Sequence, residues 1–467
     1  MKLTVDQAAA FKDKKVAILG VGVEGLSSAE FLKEYGSHIT FFDQKESLDE
    51  GVKVQVDKLG EVVLGKDAFS HLKGFDLIVR SPGIKRSLPE IGEAEKNGAK
   101  ITSQTQIFLE LCPCLVIGVT GTKGKGTTSS LIAKMLKKAD FETYLGGNIG
   151  TPPLGFLHLL DETSRVVLEL SSFQLQDLTV SPDIAVVLMM TSEHLDYHAT
   201  VEEYIDAKRN ILRFQKPECF AVINRDYVAS HESDIHTDGK VFYVSLERPS
   251  TEEGSFFREG AVWLRVKGAE WKIIDADKIA LLGHHNLENV MAACMASTLA
   301  GASKEDLYSV LATFKGLEHR LEEVAEVNGV KYFNDSFSTT PETAAAAVQA
   351  FTQPEVLILG GSSKSSDFTY LGEVIAKALN ITTIIGIGEE WPRIREAIEA
   401  AIQQNPSEKP KAVYLEGAKD MATIVMAASK VALPGDVVIL SPGCASFDMF
   451  KSYKDRGLQF KEEVRKL

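Results

Sequence analysis

The sequence lacks a disulfide framework, a long apolar run and any surplus of positive charge. No apolar stretch reaches the about 18 residues that a membrane-spanning helix requires, and charged residues interrupt the first twenty positions, so we expect neither a signal peptide nor stable membrane insertion. An odd number of cysteines without a CxxC spacing indicates reduced thiols and a cytoplasmic protein, with Cys112 and Cys114 as packing residues. The five cysteines are Cys112, Cys114, Cys219, Cys294 and Cys444.

The charge balance is acidic, with 51 basic and 65 acidic residues and a net charge of −14. This balance disfavours nucleic acid as a partner, so any anionic substrate must be met by local cations. The length of 467 residues, 44% of them hydrophobic, exceeds what one core organises. We therefore expect about three globular domains.

Residues Gly121–Thr128, with the sequence GTKGKGTT, lie between an apolar run at 114–119 and a helical pattern at 129–136. Glycines let backbone N–H groups approach phosphate oxygens, the helix N-terminus adds positive potential, and Lys125 can reach the β and γ phosphates. The segment therefore predicts an ATP site. Gly126 stands where a metal-binding Ser or Thr is usual, so Thr127, Thr128 or another group must hold Mg²⁺. A nucleotide-binding regulator without catalysis stays open on this ground.

Strand and helix signals alternate along the whole chain, which indicates an α/β fold with mostly parallel sheets. Residues 15–42 are predicted to form a strand, a glycine-rich turn, a helix and a second strand. This βαβ unit is typical of the start of a doubly wound sheet. We predict an N-terminal Rossmann-like domain at 1–103, a central P-loop ATPase-like domain at 104–315 and a C-terminal Rossmann-like domain at 316–467.

The first glycine-rich turn, Gly20–Gly25, fits the dinucleotide fingerprint, and Asp43 ends the second strand, where an acid commonly binds a ribose. Alone, this pattern suggests an NAD-dependent oxidoreductase. A UDP-sugar offers the same pyrophosphate to a helix end, and an NAD enzyme leaves the loop around Lys125 unexplained. The UDP-sugar interpretation is preferred, and the oxidoreductase remains an alternative.

Further polar residues follow the central strands. Glu169 ends a strand, where its carboxylate can hold Mg²⁺, although an acid at a helix start beside the capping residues Ser171 and Ser172 is the alternative. His194 lies among carboxylates and can ligate a metal or orient a substrate. Lys208 lies on a helix face with apolar neighbours, or else is a surface lysine. In the last domain, polar loops at 334–341, 360–365 and 441–448 indicate a binding cleft.

Together these segments resemble the Mur ligase family, in its glutamate-adding branch, over essentially the whole chain. The resemblance rests on GVTGTKGKGTT (118–128), GGNIG (146–150), LELSSFQL (168–175), EHLDYH (193–198), YIDAKRNI (204–211), GHHNLENV (283–290), LEHRLE (317–322), NDS (334–336), GGSSKSSDF (360–368) and SPGCASFD (441–448).

The resemblance implies an ATP-dependent acid–amino-acid ligase of peptidoglycan precursor synthesis. ATP would phosphorylate the terminal carboxylate of UDP-N-acetylmuramoyl-L-alanine, and the amine of glutamate would then displace phosphate from the acyl phosphate. It also implies two Mg²⁺ ions and a monomer. A folylpolyglutamate-type ligase of the same superfamily is disfavoured by the N-terminal sugar-nucleotide module.

The resemblance also implies the site residues. The ATP set is Gly121, Thr122, Lys123, Gly124, Lys125, Gly126, Thr127, Asn286, Asn289, Arg320 and Asp335. The UDP-sugar set is Gly22, Val23, Glu24, Gly25, Asp43, Ser81, Asn148 and Ser171. The amino-acid set is Thr339, Lys364, Ser446 and Tyr453. The metal set is Thr127, Glu169, His194 and a carbamylated Lys208, and the catalytic set is Lys125, Glu169, His194 and Lys208.

Two departures from the family pattern bear on specificity. Phe337 stands where the D-glutamate enzymes commonly carry a lysine, and residues 338–341 differ from their usual sequence. Some relatives with this altered loop add L-glutamate, so D-glutamate is the expected substrate and L-glutamate the alternative. Glu24 places an acid in the first glycine loop, and we expect its side chain to point to solvent.

Overall fold

The structure of the protein is a computed structural model that describes residues 4–191, 197–247, 252–284, 286–363, 366–404 and 413–467. The α/β architecture with mostly parallel sheets is confirmed by three sheets of five, nine and six strands. The chain forms two compact units, one of residues 1–279 with 287–312 and one of residues 280–286 with 313–467. The domain boundaries at 103 and 315 remain predictions.

The first sheet is parallel and has the strand order β3-β2-β1-β4-β5. This is the order of a Rossmann-like sheet, in which right-handed crossovers connect the parallel strands. Its strands are β1 Lys15–Leu19, β2 His38–Asp43, β3 Glu61–Leu64, β4 Leu77–Arg80 and β5 Lys100–Thr102. The helices of this segment are α1 Val5–Ala9, α2 Val23–Glu34, α3 Glu50–Leu59, α4 Pro89–Lys96 and α5 Gln104–Leu111.

The second sheet has the order β14-β13-β12-β11-β10-β9-β6-β8-β7 and is parallel from β7 to β12. Its last three strands form an antiparallel meander. The strands are β6 Leu115–Thr120, β7 Thr143–Gly147, β8 Arg165–Glu169, β9 Ile184–Val187, β10 Phe220–Asn224, β11 Lys240–Ser245, β12 Gly254–Arg258, β13 Ala261–Val266 and β14 Ala269–Asp275. The helices are α6 Lys125–Lys138, α7 Ser172–Leu175, α8 Val201–Arg213, α9 Val228–His231, α10 Asn286–Leu299 and α11 Lys304–Leu311.

The third sheet has the order β15-β16-β20-β17-β18-β19 and is parallel except for the β15–β16 pair. Its strands are β15 Glu322–Val327, β16 Val330–Asn334, β17 Glu355–Gly360, β18 Ile381–Ile387, β19 Val413–Leu415 and β20 Val437–Leu440. The helices are α12 Pro341–Val348, α13 Thr369–Lys377, α14 Trp391–Gln404, α15 Met421–Val431 and α16 Tyr453–Val464. None of the helices in the described ranges has both the length and the hydropathy needed to cross a bilayer.

The first two sheets share one hydrophobic cluster, which explains why they form a single compact unit. Residues of β1 such as Val16 and residues of β8 such as Leu168 belong to the same buried cluster. Phe108 of α5 packs edge-on against Phe156, with ring centroids 5.6 Å apart. Burial of this apolar surface joins the two sheets, since each aromatic side chain removes on the order of 150–250 Å² from water.

A buried arginine joins the same two sheets through polar contacts. Arg80, at the end of β4, is 1% exposed and pairs through Nε with the carboxylate of Asp177. Its other nitrogens donate to the backbone oxygen of Phe173, at 2.9 Å, and to that of Ile84. A guanidinium in this setting is stable only because each of its donors finds an acceptor. We call Arg80, Asp177, Phe173 and Ile84 the Arg80 cluster.

Candidate active site

The glycine loop joins β6 to α6, which is the strand–loop–helix arrangement that the sequence predicts. Gly124 precedes the helix with φ of 85°, and no side chain caps the helix start, so its first N–H groups point into the loop. A Cβ on Gly124 would lie 2.1 Å from Asn289 Oδ1, and the positive φ adds strain for any other residue type, so glycine is strongly favoured here. The backbone of the loop is therefore shaped to receive an anion.

Neighbouring side chains fix the loop. Lys125 folds back over it, with Nζ 2.9 Å from Gly121 O and 3.0 Å from Thr122 O. Thr122 Oγ1 contacts Tyr204 Oη at 3.1 Å, which joins the loop to α8. Thr128 Oγ1 donates to Asn289 Oδ1 at 3.3 Å, so this hydroxyl is already engaged. The choice of Thr127 as the substitute metal ligand stays a prediction.

Glu169 ends β8 and is 3% exposed. Its Oε1 accepts a hydrogen bond of 2.8 Å from Asn148 Nδ2, whereas Oε2 is buried and has no hydrogen-bond partner among the described residues. A buried carboxylate oxygen without a partner is costly, and a bound cation removes that cost. The alternative role of a helix cap is wrong for Glu169, because Ser171 Oγ accepts from Gln174 N and caps α7.

Lys208 lies on the inner face of α8 and is 2% exposed, so the alternative of a surface lysine is wrong. Its Nζ donates to Gly121 O at 2.9 Å and lies 4.6 Å from the centre of the Tyr204 ring. The amines of Lys125 and Lys208 thus converge on one carbonyl oxygen of the phosphate loop. Both nitrogen atoms lie beside the loop at which the phosphates of a nucleotide would be expected.

Two predicted site residues, His194 and Lys364, lie outside the described residues. A histidine to which the sequence assigned no role, His198, does lie in the described part. It is 1% exposed, its Nε2 lies 3.0 Å from Ser172 Oγ, and its ring stacks on Phe173 with centroids 5.5 Å apart. His198 therefore fixes the start of α7 close to Glu169.

The first glycine loop is held by Asp43. Asp43 Oδ2 accepts from Val21 N at 2.9 Å, and Oδ1 accepts from Lys45 N at 3.0 Å. Ser81 Oγ lies 3.4 Å from Gly20 O on the other side of the loop. A Cβ on Gly25 would lie 2.2 Å from Gly20 O, so Gly25 is required for close packing of α2. These residues form one polar rim at the carboxyl ends of β1, β2 and β4.

The expectation that Glu24 points to solvent is wrong. Its Oε1 accepts a hydrogen bond of 2.7 Å from Gln174 Nε2 of α7. Burial raises the pKa of the Glu24 carboxyl, and the hydrogen bond from Gln174 and the charge of Arg80 act in the opposite direction. Glu24 faces the protein because α7, which follows a strand of the central sheet, packs against the first glycine loop and supplies Gln174 as its partner.

In the second unit, Asp335 follows β16 and is 5% exposed. It accepts hydrogen bonds from Ser338 Oγ, from Ser441 Oγ at 2.8 Å and from Leu321 N at 3.1 Å. Burial raises the pKa of Asp335 to about 6, although the hydroxyl hydrogen bonds lower it. Asp335 therefore ties together the polar loops that follow β16 and β20.

Arg320 lies in a strained turn, because its neighbours His319 and Leu321 have φ of 65° and 44°. The guanidinium carbon of Arg320 stands 3.8 Å from the centre of the Phe337 ring. The Phe337 ring in turn meets Tyr453 edge-on, with centroids 5.1 Å apart. Phe337, the departure from the family pattern, is thus the platform on which Arg320 lies.

Arg456, which sequence reasoning missed, organises two polar loops of this unit. Arg456 is completely buried, and its nitrogens donate to Ser336 Oγ and O, both at 2.9 Å, to Cys444 O at 3.1 Å and to Ala445 O at 3.2 Å. Burial lowers its pKa to about 10. The loops at 334–341 and 441–446, which carry Thr339 and Ser446, are therefore held by one cation.

The predicted ATP residues divide between the two units. Asn289 belongs to the first unit and contacts the phosphate loop. Asn286 belongs to the second unit, where its Nδ2 donates to Leu282 O at 2.6 Å, and Arg320 and Asp335 lie in that unit too. Each unit thus presents its own subset of the predicted residues.

A phosphate-binding loop at the head of a mostly parallel sheet, preceded and followed in sequence by Rossmann-like sheets, defines a multidomain nucleotide-dependent enzyme. Three family descriptions match the chain: "Mur ligase MurD-like, N-terminal domain" at residues 14–103, "Mur ligase middle domain" at 119–297 and "Mur ligase, glutamate ligase domain" at 319–444. The chain belongs to the Mur ligase family.

Curated relatives match over the full length. A UDP-N-acetylmuramoylalanine–D-glutamate ligase of Acetivibrio thermocellus is 37% identical over 458 residues, which are 98% of this chain and 97% of the relative. The enzyme of the same name from Ruminiclostridium cellulolyticum is 38% identical over 459 residues, again 98% and 97% of the two chains.

Solved structures share the fold. The UDP-N-acetylmuramoylalanyl-D-glutamyl-2,6-diaminopimelate–D-alanyl-D-alanyl ligase of Acinetobacter baumannii aligns with a TM-score of 0.63 at 14% identity, covering 99% of this chain and 98% of that one. A UDP-N-acetylmuramate–alanine ligase of Thermotoga maritima aligns with a TM-score of 0.56 at 16% identity, covering 97% and 99%.

Proposed function

We propose that the protein is an ATP-dependent ligase that joins D-glutamate to UDP-N-acetylmuramoyl-L-alanine in peptidoglycan precursor synthesis. The observation that carries the proposal is the phosphate loop on which Lys125 and Lys208 converge, in a chain 37% and 38% identical over its length to D-glutamate ligases. The proposal includes three domains at 1–103, 104–315 and 316–467, a cytoplasmic monomer, and no nucleic-acid partner.

The chemistry requires two anions to meet. A carboxylate is a poor electrophile because oxide is a poor leaving group, so its oxygen is first phosphorylated by ATP. The amine of glutamate then attacks the acyl phosphate, phosphate leaves, and an amide is formed. Lys125 is proposed to lie against the ATP phosphates and to stabilise the negative charge of the transferred phosphoryl group. Catalysis is then mostly a matter of position and charge.

The metal ligands proposed are Glu169, Thr127, His194 and a carbamylated Lys208, for two Mg²⁺ ions. The residues fit a cation, since Glu169 Oε2 is buried without a hydrogen-bond partner in the described part of the chain. Bound Mg²⁺ would neutralise phosphate charge and orient the reacting groups. A carbamate on Lys208 adds a carboxylate-like group and keeps one N–H, so the hydrogen bond to Gly121 O can persist.

The proposed substrate contacts are those that the family resemblance implies. For the UDP end we propose Gly22, Val23, Glu24, Gly25, Asp43 and Ser81, and for the muramoyl end Asn148 and Ser171. For glutamate we propose Thr339, Lys364, Ser446 and Tyr453, with Lys364 paired to a carboxylate. The remaining ATP contacts proposed are Gly121, Thr122, Lys123, Gly124, Gly126, Thr127, Asn286, Asn289, Arg320 and Asp335.

Two alternatives remain. L-Glutamate is the alternative amino acid, because Phe337 replaces the usual lysine beside the proposed pocket. An NAD-dependent oxidoreductase has less support, because it leaves the phosphate loop on which Lys125 and Lys208 converge unexplained.

The deciding experiment supplies ATP, Mg²⁺ and UDP-N-acetylmuramoyl-L-alanine, and adds D-glutamate or L-glutamate in separate reactions. We expect phosphate release and a product with the mass of the amide for D-glutamate only. Reactions without amino acid and reactions with Lys125→Ala are the controls. Turnover with L-glutamate alone would replace the stereochemical assignment, and no turnover with either enantiomer would contradict the proposed ligase.

A further inference from the structure

Two thiols lie in contact in the short segment that joins α5 to β6, the first strand of the central sheet. Cys112 directly follows α5, Cys114 immediately precedes β6, and Pro113 separates them. The two Sγ atoms are 3.6 Å apart, and Cys112 Sγ is also 3.6 Å from Cys114 O. Both side chains are partly exposed, and neither is in a disulfide. The pair is therefore within reach of a solvent-borne reagent.

The backbone holds this pair in place on both sides. Cys112 N donates to Phe108 O at 2.8 Å, and Val116 N donates to Asp183 Oδ2 at 2.7 Å. Pro113 fixes its own φ, and Cys112 has the extended conformation, φ −62° and ψ 126°, that the residue before proline prefers. Little conformational freedom is left by which the thiols could separate.

The surroundings make the two thiols unequal. The hydrogen bond from Cys112 lowers the pKa of the Cys114 thiol, the charge of Arg165 lowers it further, and burial opposes both effects. The same hydrogen bond and burial raise the pKa of Cys112. Burial raises the pKa of Cys219, which has no neighbouring thiol. Cys114 is therefore the better nucleophile, and Cys112 is placed to react second.

We propose that Cys112 and Cys114 form a reversible disulfide when a hydroperoxide is present. The Cys114 thiolate attacks one peroxide oxygen, the O–O bond breaks, and hydroxide leaves, which gives a sulfenic acid. Cys112 sulfur then attacks the Cys114 sulfur, the S–O bond breaks, and the oxygen leaves as water with the proton of Cys112. In total, two thiols and one hydrogen peroxide give one disulfide and two waters, a two-electron oxidation.

This modification site goes beyond the proposed ligation, which uses neither cysteine. The pair lies at residues 112–114, between the family matches that end at 103 and begin at 119. It stands at the start of β6, whose other end at Thr120 leads into the phosphate loop. A thiol switch here would act on the strand that carries the nucleotide site.

The test treats the reduced protein with hydrogen peroxide, alkylates the remaining thiols and digests with trypsin. Residues 101–123 form one tryptic peptide, whose only cysteines are Cys112 and Cys114. We expect this peptide to resist alkylation, to lose about 2 Da, and to regain both thiols with dithiothreitol. Cys219→Ser is the matched control and should behave as the wild type.

Single variants assign the order of reaction. Cys112→Ser should accumulate a sulfenic acid on Cys114 that dimedone traps, whereas Cys114→Ser should keep an unmodified Cys112 at the same peroxide dose. Circular dichroism and a thermal melt establish that each variant is folded. The proposal is overturned if the wild-type peptide remains fully alkylatable, or if Cys114 passes to sulfinic acid without a disulfide. The readout is independent of ligase activity.

Discussion

Replacing Phe337 by leucine removes the aromatic face on which Arg320 lies while keeping an apolar side chain. The guanidinium carbon is 3.8 Å from the ring centre, and the ring also meets Tyr453 at 5.1 Å. If Arg320 binds ATP as proposed, the loss of this support should weaken ATP binding. Phe337 also stands where the D-glutamate enzymes commonly carry a lysine, and a role like that of the lysine would instead predict weaker glutamate binding in the variant.

The magnitude follows from the exposure of the ring. Cation–π contacts contribute about 0.5–1 kcal/mol at exposed sites and about 2 kcal/mol when desolvated. Phe337 is 36% exposed, so we expect its cation–π contact with Arg320 to contribute about 1 kcal/mol. Partial loss of the edge contact with Tyr453 adds a few tenths of a kcal/mol, so the KM for ATP should rise about five- to tenfold.

The assay measures initial rates of phosphate release, with ATP and glutamate varied separately. Phe337→Tyr keeps an aromatic face and serves as the matched control, with a KM for ATP close to that of the wild type. Arg320→Ala gives the upper limit of the effect. An unchanged KM for ATP in Phe337→Leu, together with a raised KM for glutamate, would refute the reasoning and assign Phe337 to the amino-acid pocket.

Three further predictions concern buried charges. Glu355 is completely buried, its carboxylate has no hydrogen-bond partner within the described ranges, and burial raises its pKa to about 8. The native state thus holds a proton that the unfolded state loses above about pH 4.5. The free energy of unfolding of the wild type, relative to that of Glu355→Gln, should therefore fall by about 1.4 kcal/mol per pH unit up to about pH 8. Urea unfolding at pH 5, 6 and 7 measures this difference, and a difference that stays constant with pH would contradict the prediction. Arg80→Met should cost about 3 kcal/mol in the free energy of unfolding, because the largely buried Asp177 loses its nearer cation and keeps Arg86 Nε at 3.5 Å. Arg80→Met with Asp177→Leu should recover part of this cost in the same denaturation assay, and no recovery would count against the pairing. Lys208→Ala should lose about 10²-fold or more in kcat, and a short carboxylic acid should restore part of it; full activity in the variant would remove the carbamate.

Much of the fold could be predicted because buried parallel strands are short apolar runs between glycine-rich turns. The strand expected from residue 15 is β1 at Lys15–Leu19, and the glycine loop does join a strand to a helix. The antiparallel meander β12–β14 was not predicted. Its strands carry charged residues among the apolar ones, and Glu270 pairs with both Arg258 and Arg265, so the apolar pattern is interrupted.

The candidate site was predictable where its residues are neighbours in sequence, as in the glycine loop. It was not predictable where a partner is distant. Glu24 meets Gln174, 150 positions away, and helical spacing alone could not decide whether Lys208 faced solvent or Gly121. Arg456 acquires its role only when two separate loops close around it. The local sequence pattern therefore predicts which residue types lie near the site, whereas the burial and the hydrogen-bond partners of their side chains depend on tertiary packing.

The Arg80 cluster also imposes an order on biosynthesis. Arg80 leaves the ribosome long before Phe173 and Asp177, so during translation its guanidinium must stay in water until the central sheet has been made. The first sheet therefore completes its interior only when later-synthesised residues arrive. A fragment ending at residue 103 would keep that arginine without its carboxylate, and the N-terminal sheet is consequently a poor candidate for expression by itself.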